Sequence, residues 1–359
     1  MIGLYSPDLP PVPGGVSDHT LALARALEAQ GGPPAILGLG GDAALFAPLP
    51  CALGLEPRDL ADAARHLGVH VVVVQYVPFA FARRGLSPAL CFGLERVRRA
   101  GVAVAIVVHE PYVPFTRIPW LVTGWPMRWQ LAWLLRLSCC AYAPLPRYVD
   151  ICRRWAPPTT RVSLAPIGAT LPVSTVPRAE ARRALGLDER TVAIGVFSPA
   201  AAGFAHRWID RAVAAFDGRS DVQWVTFGFG STTDRWTVPG PSVIRLGPGD
   251  AAALGRAMRA VDIAAAPYTD GLTMRRSGAM FALANGVPTV SSTGHLYDPA
   301  LGRIAACEPT PDAFAARLVA LAGDPAARAA LAERAKGYWQ VASIEVLARQ
   351  LLTDLGGRT

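Results

Sequence analysis

The run VHVVVVQYV (Val69–Val77) constrains the fold of this chain more than any other stretch. Consecutive β-branched valines leave it no polar face, so it reads as a strand of a parallel sheet covered on both sides. The stretches around it repeat the theme. Ile2 to Ser6 reads as a strand, PPVPGG as a loop, Val16 to Gln30 as a helix stopped by Gly31-Gly32, and Ala35 to Leu39 as a second strand. After the valine run come a helix from Ser87-Pro88 to Gly101 and the strand VAVAIVVH, which delivers His109. A long helix around Arg128 to Leu137, a short strand near Ala141, a helix from Pro146 to Trp155 and the strand VSLAPIG follow. Strands that alternate with helices predict a doubly wound α/β sheet.

The alternation pauses over residues 156–177, which carry Pro157, Pro158, Pro166, Pro172 and Pro177. It then resumes through TVAIGVF, VQWVTFG, VIRL and DIAAAPY with helices between, and ends in helices at Pro311 to Ala322, Pro325 to Gly337 and Ser343 to Leu355. The expected architecture is α/β, with two Rossmann-like doubly wound domains facing one another across a cleft. Residues 1–172 form the first domain and 173–340 the second. The helix in 341–359 either stays with the second or packs back on the first.

Composition narrows the partners. The chain has 359 residues, 52% hydrophobic and 17% charged, which describes a well-packed protein and not a disordered one. A net charge of +8 suits anionic ligands such as nucleotides, or an acidic membrane surface. Nearly all of it is arginine, which base composition alone can produce. No basic run interleaved with aromatics is present, which argues against nucleic acid. The six cysteines show no metal-ligand spacing and read as buried thiols of a cytoplasmic protein. The Trp- and Leu-rich stretch Ile118 to Pro144 is interrupted by Arg128 and Arg136, with Arg117 just ahead of it, and is broken by Pro126. A spanning helix needs about 20 predominantly apolar residues, so the stretch reads as a buried helix or as a surface that touches lipid.

Four places can carry chemistry. In TDGLTMRRSGAMFALANGVPTV (Thr269–Val290), a turn at Asp270-Gly271 leads to a predicted helix start at Thr273, whose hydroxyl can cap the first turn. A ligand of such a unit sits beyond the carboxyl ends of the strands, where a helix N-terminus offers N–H groups to a phosphate. The amides of Met274 to Arg276, with the guanidinium groups of Arg275 and Arg276, then make an anion site. The plainer alternative has Thr273 only capping and Arg275 only pairing with Asp270. Gly14-Gly15, between the first strand and helix, lets a backbone approach a ligand or merely makes the turn. His109-Glu110 ends a buried strand, where a polar pair followed by Pro-Tyr in a loop points into the cleft that strand order creates, the plainer alternative being a satisfied core histidine. SPAAAGFAHRW places Ser198, Gly203, His206 and Arg207 ahead of a helix, and arginine forks suit phosphate oxygens, unless Arg207 is an ordinary exposed arginine. No Asp-x-Asp pair, GxxxxGK[ST] loop or GxSxG elbow is present, so hydrolase, kinase and metal-dependent readings lose ground.

Together these residues resemble the family 4 glycosyltransferases of the GT-B fold. GGVSDHTLALARAL looks like that family's Gly-Gly loop and first helix, and DGLTMRRSGAMFALANGVPTVSSTG looks like its donor-site signature in an Asp-Gly, Arg-Arg variant. The resemblance implies transfer of a sugar from a nucleotide sugar, a UDP-sugar first, with retention of configuration and with neither metal nor cofactor. It puts Gly14 and Gly15 at the diphosphate and His109, with Glu110 beside it, at the donor sugar. Arg207 neutralises the leaving diphosphate, with Arg211 or Arg275 as second cation. Ser198, His206, Asp270, Gly271, Thr273, Met274, Arg275 and Arg276 complete the donor side. Asp18, His19 and Tyr112 face the acceptor, with Phe115 and Trp120 in the same loop. One departure stands out: the family's two donor-helix glutamates fall on Thr273 and Phe281, so Asp270 or the amides after Thr273 substitute for the first.

Three readings follow. The chain is a transferase acting on a small-molecule, saccharide or lipid-linked acceptor, with peripheral membrane contact in the last case. Alternatively it is a catalytically silent nucleotide-binding partner of another transferase, or a nucleotide-sugar epimerase.

Overall fold

A computed structural model describes residues 1–357 apart from 13, 114–117, 198–202, 228–242 and 247–250, with the backbone alone at 118–122 and 227. The chain divides into two compact units, unit 1 comprising Met1–Ile167 with Ile344–Thr359 and unit 2 comprising Gly168–Ser343.

Unit 1 begins with β1 (Ile2–Ser6), α1 (Gly15–Ala29), β2 (Ala35–Gly38), β3 (Cys51–Ala52), α2 (Leu60–His66), β4 (Val71–Tyr76) and α3 (Pro78–Phe81). It continues with α4 (Pro88–Arg99), β5 (Ala103–Val108), α5 (Ile118–Leu137), β6 (Cys140–Ala143), α6 (Pro146–Trp155) and β7 (Arg161–Leu164). The seven strands form one parallel sheet in the order β3-β2-β1-β4-β5-β6-β7. The valine run is β4, buried throughout and paired with β1 on one side and β5 on the other. Its residues serve the two faces alternately. Val72, Val74 and Tyr76 join Leu90, Leu94 and Leu131, while Val71 and Val73 join Leu23 and Leu27.

Local chemistry sets the helix ends. The Ser87 hydroxyl accepts the Leu90 N–H at 3.4 Å ahead of Pro88, and so starts α4. Helix α5 runs through Pro126, which the sequence reading took as a break. The hydrogen bond that Pro126 cannot donate is outweighed by a buried row, Met127, Leu131, Leu134 and Leu135.

Unit 2 runs α7 (Arg178–Ala184), β8 (Val192–Phe197), α8 (His206–Ala215), β9 (Val222–Phe227), β10 (Val243–Arg245), α9 (Ala251–Ala260) and β11 (Ile263–Ala266). Then come α10 (Ser277–Ala284), β12 (Thr289–Ser292), β13 (Ala306–Glu308), α11 (Pro311–Gly323), α12 (Pro325–Ala335) and α13 (Tyr338–Val341). Its parallel sheet has the order β10-β9-β8-β11-β12-β13. In each sheet the order reverses once, between β1 and β4 and between β8 and β11, and the loops leaving the carboxyl ends there splay apart to open a crevice.

At the amino end of β11, Asp262 gathers an ion-pair cluster. Arg182, almost fully buried, reaches one carboxylate oxygen at 2.7 Å, the Ala193 N–H donates to that same oxygen at 2.9 Å, and Arg178 pairs with the other. The second Arg182 nitrogen donates to the Asp188 and Thr191 carbonyls, the latter at 2.6 Å.

The last helix, α14 (Ile344–Leu355), belongs to unit 1. Ile344, Leu347, Ala348, Leu351 and Leu355 recur at helical spacing and pack with Leu23 and Leu27 of α1. Each leucine buried there contributes roughly 1.5–3 kcal/mol. The enclosed Asp354 carboxylate accepts from the Tyr142 hydroxyl at 2.9 Å and from Arg161 at 2.7 Å, which fastens the helix to β6 and β7.

Candidate functional site

In unit 2 the two loops that leave the reversal point are joined to each other. Ala205 N–H donates to the Pro267 carbonyl at 3.0 Å and Thr269 N–H to the Gly203 carbonyl at 2.9 Å. Around this junction lies a cavity of about 310 Å³ lined by Gly203, Thr269, Asp270, Thr273, Arg275, Arg276 and Leu296. Two guanidinium groups face one carboxylate there, so the lining carries an excess of positive charge.

Arg276, not Arg275, makes the ion pair with Asp270. Its guanidinium also lies over the Tyr268 ring, 4.6 Å from the centroid. Two glycines permit this packing. Gly203 has φ +79°, and a Cβ there would come 2.8 Å from an Arg276 nitrogen. Gly271 has φ +92°, and a Cβ there would come 2.7 Å from the Gly294 amide.

Helix α10 starts at Ser277 and not at Thr273. Leu272, Thr273 and Met274 are drawn into the interior, and the chain makes a turn before the helix: Arg276 N–H donates to the Thr273 carbonyl at 3.0 Å and Ser277 N–H to the Arg275 carbonyl at 3.1 Å. The Arg276 amide is therefore spent inside the turn, and the Met274 side chain is core. Charge at this cavity comes from side chains more than from a helix end. Phe281, at one of the two glutamate positions of the resemblance, packs against Phe197 with ring centroids 5.3 Å apart. Thr273, at the other, lines the cavity.

The second cluster of unit 2 candidates lies at the start of α8. His206 is its first residue, half-buried, with its ring 5.4 Å from Phe204. Arg207 follows, exposed and outside the cavity lining. Arg211, the other candidate for a second cation, is answered by Asp312 at 2.5 Å. Ser198 lies outside the described residues.

Unit 1 presents a different arrangement. Gly14 is the N-cap of α1 in an extended conformation, exposed like Gly15, and a Cβ on either would meet nothing within 4 Å. His109 follows β5, almost fully buried, with Nε2 2.8 Å from the Gln75 Oε1 of β4. His19 sits edge-on to it, centroids 4.7 Å apart, and is fully buried. It is enclosed and not at the surface, where the resemblance has it meet an acceptor. Neither His19 nitrogen has a hydrogen bond of good geometry, and burial pushes its pKa down to about 4, with the nearby Gln75 amide acting weakly against the shift. The Tyr5 hydroxyl, Ser17 hydroxyl and Gln75 amide nitrogen are also enclosed without partners. Burial raises the Asp18 carboxyl above its usual range. Glu110 is half-buried beside His109, and Tyr112 lies under the Arg128 guanidinium, 3.9 Å from its ring centroid. Phe115 and the Trp120 side chain lie outside what is described.

Sequence reasoning passed over Gln75, Tyr268, Gly294 and Leu296. Gln75 alone had a visible signal, as the one amide in an otherwise apolar strand. Among the described residues no group of three His, Cys, Asp or Glu side chains is placed to hold a metal ion.

No family model and no curated protein sequence matches this chain. Solved structures do. Sucrose-phosphate synthase from Thermosynechococcus elongatus superposes with a TM-score of 0.67 at 16% identity, over 100% of this chain and 99% of that one. Anabaena HepE in complex with UDP gives 0.67 at 15%, over 99% of both chains. WaaG, a glycosyltransferase involved in lipopolysaccharide biosynthesis, gives 0.62 at 12%, over 99% of this chain and 100% of that one. At such identities the likeness speaks for architecture: the chain has the GT-B α/β fold, built of two Rossmann-like domains.

Proposed function

We propose that this chain is a glycosyltransferase whose unit 2 takes the nucleotide part of a sugar donor, a UDP-sugar first, in the cavity beside Asp270 and Arg275. The carrying observation is that cavity: at the reversal point of a parallel sheet, lined by two arginines, and backed by two glycines that hold the backbone close. Preorganised cations of this kind stabilise the charge that grows on a departing diphosphate. HepE, which shares the fold, was solved with UDP and with UDP-glucose. Membership of family 4, retention of configuration, transfer without a metal and a cytoplasmic location come with this reading as what the resemblance implies. His109, Glu110, Gly14 and Gly15 keep the roles it gives them, and the acceptor is a saccharide, another small molecule or a lipid-linked sugar.

The test is calorimetric titration of UDP, GDP, ADP and dTDP into the protein, Arg275→Ala and Arg207→Ala. One nucleotide binds, and loss of a charge-assisted contact weakens it by roughly 1.5–3 kcal/mol in Arg275→Ala. The same loss in Arg207→Ala puts that exposed arginine on the diphosphate, and an unchanged affinity removes it from the site. If no nucleotide binds, the reading is wrong.

A second reading has one observation behind it. Phe281 is core and Thr273 is neutral, so neither can make the glutamate contacts of the resemblance. A silent nucleotide-binding partner predicts UDP binding with no turnover until a second protein is added.

A further inference from the structure

A large apolar concavity lies in unit 1, along α4, α5 and α6. It encloses about 1030 Å³, and its walls include Trp125, Trp129, Trp133 and Trp155. Trp125 is 57% and Trp129 73% exposed, and Phe92, set edge-on against Trp133 at 5.1 Å, is 57% exposed. Exposed aromatics gathered on one face mark a surface that is covered in use.

Two observations say by what. The polar groups at its base are already satisfied: Gln130 accepts the Ser87 N–H at 2.6 Å and donates to the Tyr76 hydroxyl at 3.0 Å and the Gly85 carbonyl at 3.1 Å. The groove therefore offers no hydrogen bonds to a polar occupant there. Its charged lining is Arg98, Arg136 and Arg154, with no aspartate or glutamate. All three are exposed, and none forms an ion pair among the described residues. Arg98 gives a single N–H to the Arg136 carbonyl at 3.3 Å. Tryptophan rings with an apolar body and a polar N–H, flanked by arginines that can extend to phosphates, are what a bilayer interface selects. A protein partner would need a matching acidic, aromatic-accepting surface; an anionic bilayer supplies both terms at once.

We propose that the α4–α5–α6 face of unit 1 is a membrane-docking surface for a bilayer rich in anionic phospholipid. Trp125 and Trp129 enter the headgroup–acyl boundary, and Arg98, Arg136 and Arg154 lie against lipid phosphates. The proposal does not depend on glycosyl transfer, and no helix among the described residues is long and apolar enough to cross a membrane.

The test is co-sedimentation of the full chain with vesicles of phosphatidylcholine alone and of an equimolar mixture with phosphatidylglycerol. Quenching of tryptophan fluorescence by brominated acyl chains is read in parallel. The protein binds the mixed vesicles at low salt at least about tenfold more tightly than the neutral ones, and its fluorescence is quenched. The double variant Arg136→Gln/Arg154→Gln loses the preference for anionic vesicles. Trp125→Ser/Trp129→Ser loses the quenching and most of the binding. Thermal unfolding and UDP affinity, unchanged in both variants, show that the fold and the unit 2 cavity are intact and keep failure here apart from failure of the transferase reading. Equal binding to both vesicle types, or none to either, overturns the proposal. So does a dimer in sedimentation that dissociates on Trp129→Ser, because a second copy then covers the face.

Discussion

At the carboxyl ends of β8 and β11 the polar groups are charged and reachable, with Arg275, Arg276 and Asp270 around an open cavity. At the carboxyl ends of β1, β4 and β5 several groups without formal charge are enclosed together: the Gln75 amide against His109, His19 edge-on to that ring and uncharged through burial, and Tyr5 and Ser17 hydroxyls without partners. The strand orders are alike, so the backbone supplies the same two positions in both units. Side chains then divide the work. Unit 2 gathers guanidinium groups and a carboxylate around its cavity, while unit 1 encloses an amide, hydroxyls and a histidine that burial keeps uncharged.

The comparison is sharpest where charge that holds the fold is separated from charge that holds a ligand. Arg182→Ala removes a partner from the enclosed Asp262 carboxylate and lowers the stability of unit 2 by about 3–5 kcal/mol, toward the lower figure because Arg178 remains. Urea unfolding measures this. UDP affinity of the folded variant stays unchanged, and a loss there would tie the two clusters together.

Acid tests the neutral side. A histidine whose folded pKa lies near 4, against about 6.5 unfolded, binds fewer protons folded than unfolded between those values. Its contribution, on the order of 3 kcal/mol, is fully present above pH about 6.5 and is lost as the pH falls toward 4. Stability measured across that window falls in the native chain and falls less in His19→Leu. Equal slopes would show that His19 is not the group being protonated.

The smallest effect separates two readings of the first loop. Gly14 is extended and nothing would obstruct a side chain there, so Gly14→Ala costs about 0.5–1 kcal/mol of capping and no more. A clear drop in UDP affinity on that background would mean that a ligand needs the space; no drop leaves the glycine as a turn residue.

Much of the architecture is written in local pattern. The strands of both sheets are short apolar runs because helices cover both faces, and Gly or Pro punctuates them. What stayed hidden was set by tertiary contacts. The two-residue β3 and the three-residue β13 are too short to carry a period. Pro126 signalled a break that core packing overrode. Thr273 had the chemistry of a helix cap, yet burial of Leu272 and Met274 placed a turn there and moved the helix to Ser277. At the cavity, Asp270, Gly271 and the arginine pair could be read from the sequence. Which arginine pairs with Asp270, and that Tyr268 lies beneath it, could not, because both depend on where Gly203 brings its loop.

The return of α14 to unit 1 sets an order of assembly. Unit 2 is an insertion between Ile167 and Ile344 of the first unit. While the chain is being synthesised, the row of Leu23 and Leu27 on α1 waits for partners that emerge only with Ile344 to Leu355. Unit 2 can be complete and folded before unit 1 has its last helix. A ribosome stalled in that final stretch would release an intact second unit attached to a first one with its apolar face bare, which is the species quality-control chaperones would be expected to engage.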